Sequence, residues 1–137
     1  MDDDAHFPYP PAIVFVLESN PLLRASLRAW LHQEFPHCQV EASASLDLAE
    51  PKLLASPPQV ALVDIDPWHG EGLANLRALR ARLPAATLVA LTIHQPGFLH
   101  EQAIRAGASA CACIALSDDS LRDLLRSLLA AHVAQRA

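Results

Sequence analysis

Short continuous apolar runs alternate along this chain with segments of helical spacing, and that alternation leaves few architectures open. Ala12-Ile13-Val14-Phe15-Val16-Leu17 follows Pro10-Pro11 and ends at Glu18-Ser19-Asn20. A run that is apolar at every position reads as a strand buried on both faces, as in a parallel sheet. From Pro21 to Leu31 the pattern changes. Leu23, Leu27, Trp30 and Leu31 share one helical face, and Arg24 and Arg28 share another. Asn20 stands at the N-cap, with Pro21 at the first helical position.

The same alternation continues downstream. A weaker strand covers 39–44. A helix covers 46–56, where Pro51 should delay its start or kink it, and Pro57-Pro58 closes it. Val60-Ala61-Leu62-Val63 is the next buried strand and ends at Asp64. Gly70 and Gly72 punctuate the following loop, and Leu73, Leu76, Leu79 and Leu83 mark a helix. A strand over 86–91 ends at Thr92. A helix over 98–105 stops at Gly107, and 109–114 is a fifth strand. Ser117-Asp118-Asp119 opens the last helix with acids at its positive end, and Leu121, Leu124, Leu125 and Leu128 form its apolar stripe.

Five strands alternating with five helices define an α/β domain. Its sheet is parallel, covered by helices on both faces and joined by right-handed crossovers. Ligands of such sheets sit at the carboxyl ends of the strands. Glu18, Asp64 and Thr92 each stand just past such an end, so three separate stretches bring polar groups to one edge. No repeat or second domain is visible. Residues 1–10 read as a flexible N-terminal segment and 11–135 as the domain.

Composition narrows the function classes. An apolar fraction of 52% argues for a packed core, not a disordered chain. No apolar run approaches the ~20 residues needed to span a bilayer. The start, MDDDAHFPYPP, lacks the basic-then-apolar order of a signal peptide, so a cytoplasmic protein is expected, with no membrane partner. Cys38, Cys111 and Cys113 make no disulfide framework. A net charge of −5 leaves no basic footprint for direct nucleic-acid binding. Of the ten basic residues only Lys52 is a lysine, which limits where an ammonium group can stand.

Five motifs in order resemble the response-regulator receiver domain of bacterial two-component systems, most closely the branch that carries a helix-turn-helix output domain. They are Leu17-Glu18-Ser19-Asn20-Pro21-Leu22-Leu23-Arg24; Val60-Ala61-Leu62-Val63-Asp64-Ile65; Gly72-Leu73; Leu91-Thr92-Ile93-His94; and Ala106-Gly107-Ala108-Ser109. The resemblance spans about residues 12 to 133. It implies a flavodoxin-like, doubly wound, three-layer fold with strand order 2-1-3-4-5. It also implies signalling through a protein partner: a histidine kinase, another regulator or an output domain. A homodimer built on the last helix and its neighbours is implied as well.

The resemblance assigns roles residue by residue. Asp64 matches the phosphoacceptor carboxylate, a poor nucleophile that needs a metal and cations around the phosphoryl oxygens. Thr92 matches the hydroxyl that contacts the phosphoryl group. Glu18 and Ser19 stand where the family has two Mg²⁺-binding acids, and Ser19 carries no charge. Asp66, two residues from Asp64, is the acid that would compensate, so Mg²⁺ binding is expected to be weak and not required. Ile114 occupies the place of the family's lysine and supplies neither charge nor donor. Cys111 replaces the switch aromatic. It shares a strand face with Cys113, which reads as a pair of small buried hydrophobes. His69 and His94 could join Asp64, Asp66 and Glu18 in a transition-metal site, although surface loop residues are the simpler reading. Trp68 reads as a loop residue or as an anchor for a partner.

Three readings follow. The first is a pseudo-receiver, with no catalytic residues, that signals by protein contact without phosphotransfer. The second is a phosphoacceptor of reduced efficiency built on Asp64, Glu18, Asp66 and Thr92. The third is an enzyme, because Asp64-Ile65-Asp66 resembles the D-x-D of haloacid-dehalogenase phosphatases and Asp118-Asp119 their distal acids. The third lacks a lysine between Thr92 and Asp118 and lacks a cap domain. The combined changes at Ser19, Ile114 and Cys111 favour the first.

Overall fold

The computed structural model describes residues 12–66, 71–95, 97–114 and 119–136, the last five by their helical backbone alone. The expected N-terminal segment over 1–10, the loop residues Pro67, Trp68 and His69, and Ser117-Asp118 lie outside these residues.

The first strand, β1 (Ile13–Leu17), runs into α1 (Pro21–Glu34) through a capped turn. Asn20 Oδ1 accepts from the Leu22 and Leu23 amides at 3.0 and 3.2 Å, and Pro21 opens the helix where no amide is needed. Next come β2 (Gln39–Ser43) and α2 (Leu46–Ala55), then β3 (Val60–Asp64) and α3 (Gly72–Arg82). The chain continues as β4 (Thr87–Thr92), α4 (Phe98–Arg105), β5 (Ala110–Cys113) and α5 (Asp119–Arg136). Asp64 and Thr92 are the last residues of their strands, one position earlier than the sequence places them.

Pro51 neither delays α2 nor ends it. The helix starts at Leu46 behind the Ser45 cap, whose Oγ accepts the Leu48 amide at 3.3 Å, and runs on through Pro51. An interior proline costs about 3 kcal/mol. Burial of Leu46, Ala49 and Leu53 under the sheet offsets it, because each buried apolar side chain returns roughly 1.5–3 kcal/mol when large.

All strand pairs are parallel, in the order β2-β1-β3-β4-β5. Alternate side chains of each strand feed two cores. Phe15, Leu17, Ala61, Val63, Leu88 and Ala90 meet α2, α3 and α4 on one face. Val14, Val16, Leu62, Val89, Leu91 and Ala112 meet α1 and α5 on the other. Burial on both faces is why these strands read as unbroken apolar runs.

Candidate functional site

Register brings the candidate residues to one edge. Leu17 pairs with Val63, so Glu18 follows alongside Asp64. Asp64 pairs with Leu91, and Thr92 pairs with Cys113. The Ile114 amide donates to the Thr92 carbonyl at 2.8 Å, so the fifth strand delivers Ile114 beside Thr92.

Asp64 is half-buried at the end of β3. Its Oδ1 accepts the Asp66 amide at 2.9 Å, a side-chain turn that bends the chain out of the strand. The bend carries Asp66 under the end of β4. There Asp66 is buried, its Oδ1 accepting the Thr92 hydroxyl at 2.5 Å and its Oδ2 the Ile93 amide at 3.1 Å. His94 Nε2 lies 3.8 Å from Asp66 Oδ1.

Glu18 is buried at the end of β1, and its Oε2 accepts the Asn20 amide at 3.1 Å. Ser19 is exposed and borders a cleft of about 470 Å³ with Asp47, Asp64, Glu71 and Asn75. Arg24, one helical turn after the Asn20 cap, turns its guanidinium back onto this loop. It donates to the Glu18 and Ser19 carbonyls at 2.9 and 3.4 Å. From the sequence, Arg24 falls on a polar helix face and at the end of the first motif, with no partner assigned. Its spacing from the cap was the available signal, but the target is a backbone carbonyl, which leaves no mark in a sequence.

The two apolar replacements have structural reasons. Ile114 packs its side chain against the core of Val14, Leu91 and Leu125, so it fills volume under α1 and α5. Lys52 is elsewhere, paired with Glu41 at 2.8 Å on the β2 edge. Cys111 packs against the opposite core. Burial, then neighbouring Cys113 and Asp66, push its thiol up to about 11 from an ordinary 9.0. The folded state therefore holds this proton more tightly than the unfolded chain. The stabilisation is complete below about pH 9 and is lost as the pH rises through 11. We expect the denaturation midpoint to fall over that window, and Cys111→Ala to flatten the fall.

The donor set does not fit a Mg²⁺ site as a whole. The acid that would replace Ser19 is Asp66, and both its oxygens accept donors from the end of β4. Among the described residues no three His, Cys, Asp or Glu side chains converge on a point that would hold a metal ion. The transition-metal grouping of His94 with Asp64, Asp66 and Glu18 is therefore not assembled among these residues. Its other member, His69, lies outside them.

The sheet order and the polar edge together define a class: this is the flavodoxin-like receiver fold of response regulators. The particular likenesses are to solved receiver structures. The signal receiver domain of a DNA-binding response regulator from Colwellia psychrerythraea 34H is 17% identical, with a TM-score of 0.74 over 86% of this chain and 98% of that one. A LuxR-family two-component response regulator from Aurantimonas sp. SI85-9A1 is 22% identical, with a TM-score of 0.75 over 88% of this chain and 86% of that one. Vibrio cholerae chemotaxis protein CheY4 is 17% identical, with a TM-score of 0.73 over 86% of this chain and 98% of that one. No family model matches the sequence, and no curated protein matches it. The expected fold, strand order and likeness to receiver domains all hold at the level of the fold. Among the described residues no helix is long and apolar enough to cross a membrane.

Proposed function

We propose that this chain is an atypical receiver domain of bacterial two-component signalling, cytoplasmic, that acts by protein contact without phosphotransfer. The observation that carries this reading is Ile114. It stands beside Thr92 at the carboxyl edge, where the family has its lysine, and its half-buried side chain packs against the apolar core. A phosphoryl group on Asp64 would develop charge there without the ammonium that normally neutralises it. Losing even one neutral hydrogen-bond donor aimed at developing charge costs about 2.7–4 kcal/mol of transition-state stabilisation.

The contact surface in this reading is α4 with β5 and α5. Helix α4 leaves Phe98 and Ile104 exposed, which suits a second copy of the chain, a histidine kinase or an output domain. A slow phosphoacceptor is the second reading, favoured by one observation: Asp64 is half-buried and still opens onto the 470 Å³ cleft.

Intact-mass measurement after incubation with acetyl phosphate, and binding of beryllofluoride, both at millimolar Mg²⁺, separate the two. We expect no adduct. A stable modification that Asp64→Asn abolishes would establish the second reading.

A further inference from the structure

Three groups at the end of β4 converge on one hydrogen-bonded cluster. The Thr92 hydroxyl donates to Asp66 Oδ1 at 2.5 Å, and the Ile93 amide donates to Asp66 Oδ2 at 3.1 Å. The His94 amide donates to Thr92 Oγ1 at 3.0 Å. Asp66 is 2% exposed and Thr92 is 0% exposed, so water does not compete for the bond between them. A hydroxyl has one proton and an amide has one. The Thr92 hydroxyl and the Ile93 amide, at and just past the end of β4, are therefore both committed to one carboxylate. The 2.5 Å contact lies in the range of O–H···O⁻ bonds, the stronger kind. Asp66 is in turn fixed by its own amide, which donates to Asp64 Oδ1 at 2.9 Å.

We propose that Asp66 is a built-in latch: its carboxylate takes the Thr92 and Ile93 donors that an anion carried by Asp64 would require, and so holds the start of the β4–α4 connection, Ile93 and His94, in one anion-bound arrangement. A carboxylate and a phosphoryl group present the same kind of anionic oxygen to the same O–H and N–H donors. With the carboxylate supplied by the chain itself, the connection is set without any transferred group. Ile93 and His94, 44% and 47% exposed, are the surface residues whose positions follow the latch. The latch deepens the proposed function and rests on it only for its signalling consequence.

Amide hydrogen exchange of the full chain, read by NMR, tests the latch. In the wild type the Ile93 and His94 amides should be protected. In Asp66→Ala both should exchange at least about tenfold faster, while Leu88 and Ala90 within β4 stay within about twofold. Thr92→Val serves if Asp66→Ala fails to fold. It keeps the Ile93–Oδ2 bond and removes the acceptor of His94, so His94 should accelerate more than Ile93. Unprotected Ile93 and His94 amides in the wild type, or exchange unchanged in Asp66→Ala, would overturn the latch.

Beryllofluoride with Mg²⁺ separates this inference from the proposed function. Wild-type Ile93 and His94 resonances should not move. If an adduct at Asp64 moves them, the latch is wrong. If an adduct forms and they stay in place, the latch holds and phosphorylation-independence falls. If no adduct forms and Asp66→Ala changes nothing, the latch falls alone.

Discussion

Gly72→Ala should unfold the domain about 10 °C earlier and displace the end of β3 that carries Asp64. A Cβ built on Gly72 would lie 2.3 Å from the Asp64 carbonyl oxygen and 2.4 Å from the Ile65 Cα. Both are backbone atoms at the carboxyl end of β3, a central strand bounded by β1 and β4, and the Ile65 amide is tied to the Leu91 carbonyl at 3.0 Å, so neither can swing aside. Overpacking costs about 1–3 kcal/mol, occasionally more, and this position belongs at the upper end because backbone must move. At about 3 °C per kcal/mol for a domain of this size, the loss is visible in any thermal melt. The same Cβ presses on the residue that carries the candidate site, so the Asp64 and Asp66 amide resonances should shift as well. Gly97→Ala is the control, since among the described residues only the Gln95 carbonyl, at 4.0 Å, faces a Cβ there.

Arg80→Ala should cost about 2–3 kcal/mol in urea denaturation while leaving the Asp64 edge unchanged. Arg80 is a hub at the end of the sheet away from Asp64. Its Nε and Nη2 donate to the Gly107 carbonyl at 3.0 and 2.8 Å, and Nη1 donates to the Ala86 carbonyl at 2.8 Å. Weaker bonds reach the Leu83 and Pro84 carbonyls and Ser109 Oγ. One guanidinium thus ties the end of α3 to the lead-in of β4 and to the α4–β5 turn. A hydrogen bond to a charged group contributes about 1.5–3 kcal/mol, and the total is discounted because water replaces the bonds to exposed carbonyls. Arg80→Lys should recover little, because one ammonium cannot fork to carbonyls on both sides. The turn itself depends on Gly107, whose φ of +115° suits glycine and whose Cβ would sit 2.8 Å from Arg80 Cβ. Arg77→Ala, an exposed change on the same helix, should stay within about 0.5 kcal/mol of wild type.

Most of the fold was legible because its signals are local. An apolar run between Pro10-Pro11 and Glu18-Ser19-Asn20 can be little else than a buried strand, and Asn20-Pro21 is a helix start by chemistry alone. At Pro51 the expected late start of α2 does not occur, for the converse reason. Propensity favours a break there, and only the packing of Leu46, Ala49 and Leu53 under the sheet keeps the helix whole. The hub at Arg80 was invisible because its partners are carbonyls up to 27 residues away.

The candidate site divides the same way. Sequence by itself determined which residues reach the edge: Glu18, Asp64 and Thr92 follow from where strands end, strand ends follow from periodicity, and Ile114 follows from the family resemblance. Spacing brought Asp66 near Asp64 but could not say where its carboxylate points. Tertiary structure decided that. Side-chain direction past a strand's end depends on the turn made by Asp64 Oδ1, and on which donors the neighbouring strand presents across the sheet. Those donors are Thr92 and Ile93, at and just past the end of β4, 26 and 27 residues further on, and the parallel register brings them within hydrogen-bonding reach of the acid that could have replaced Ser19 at a metal.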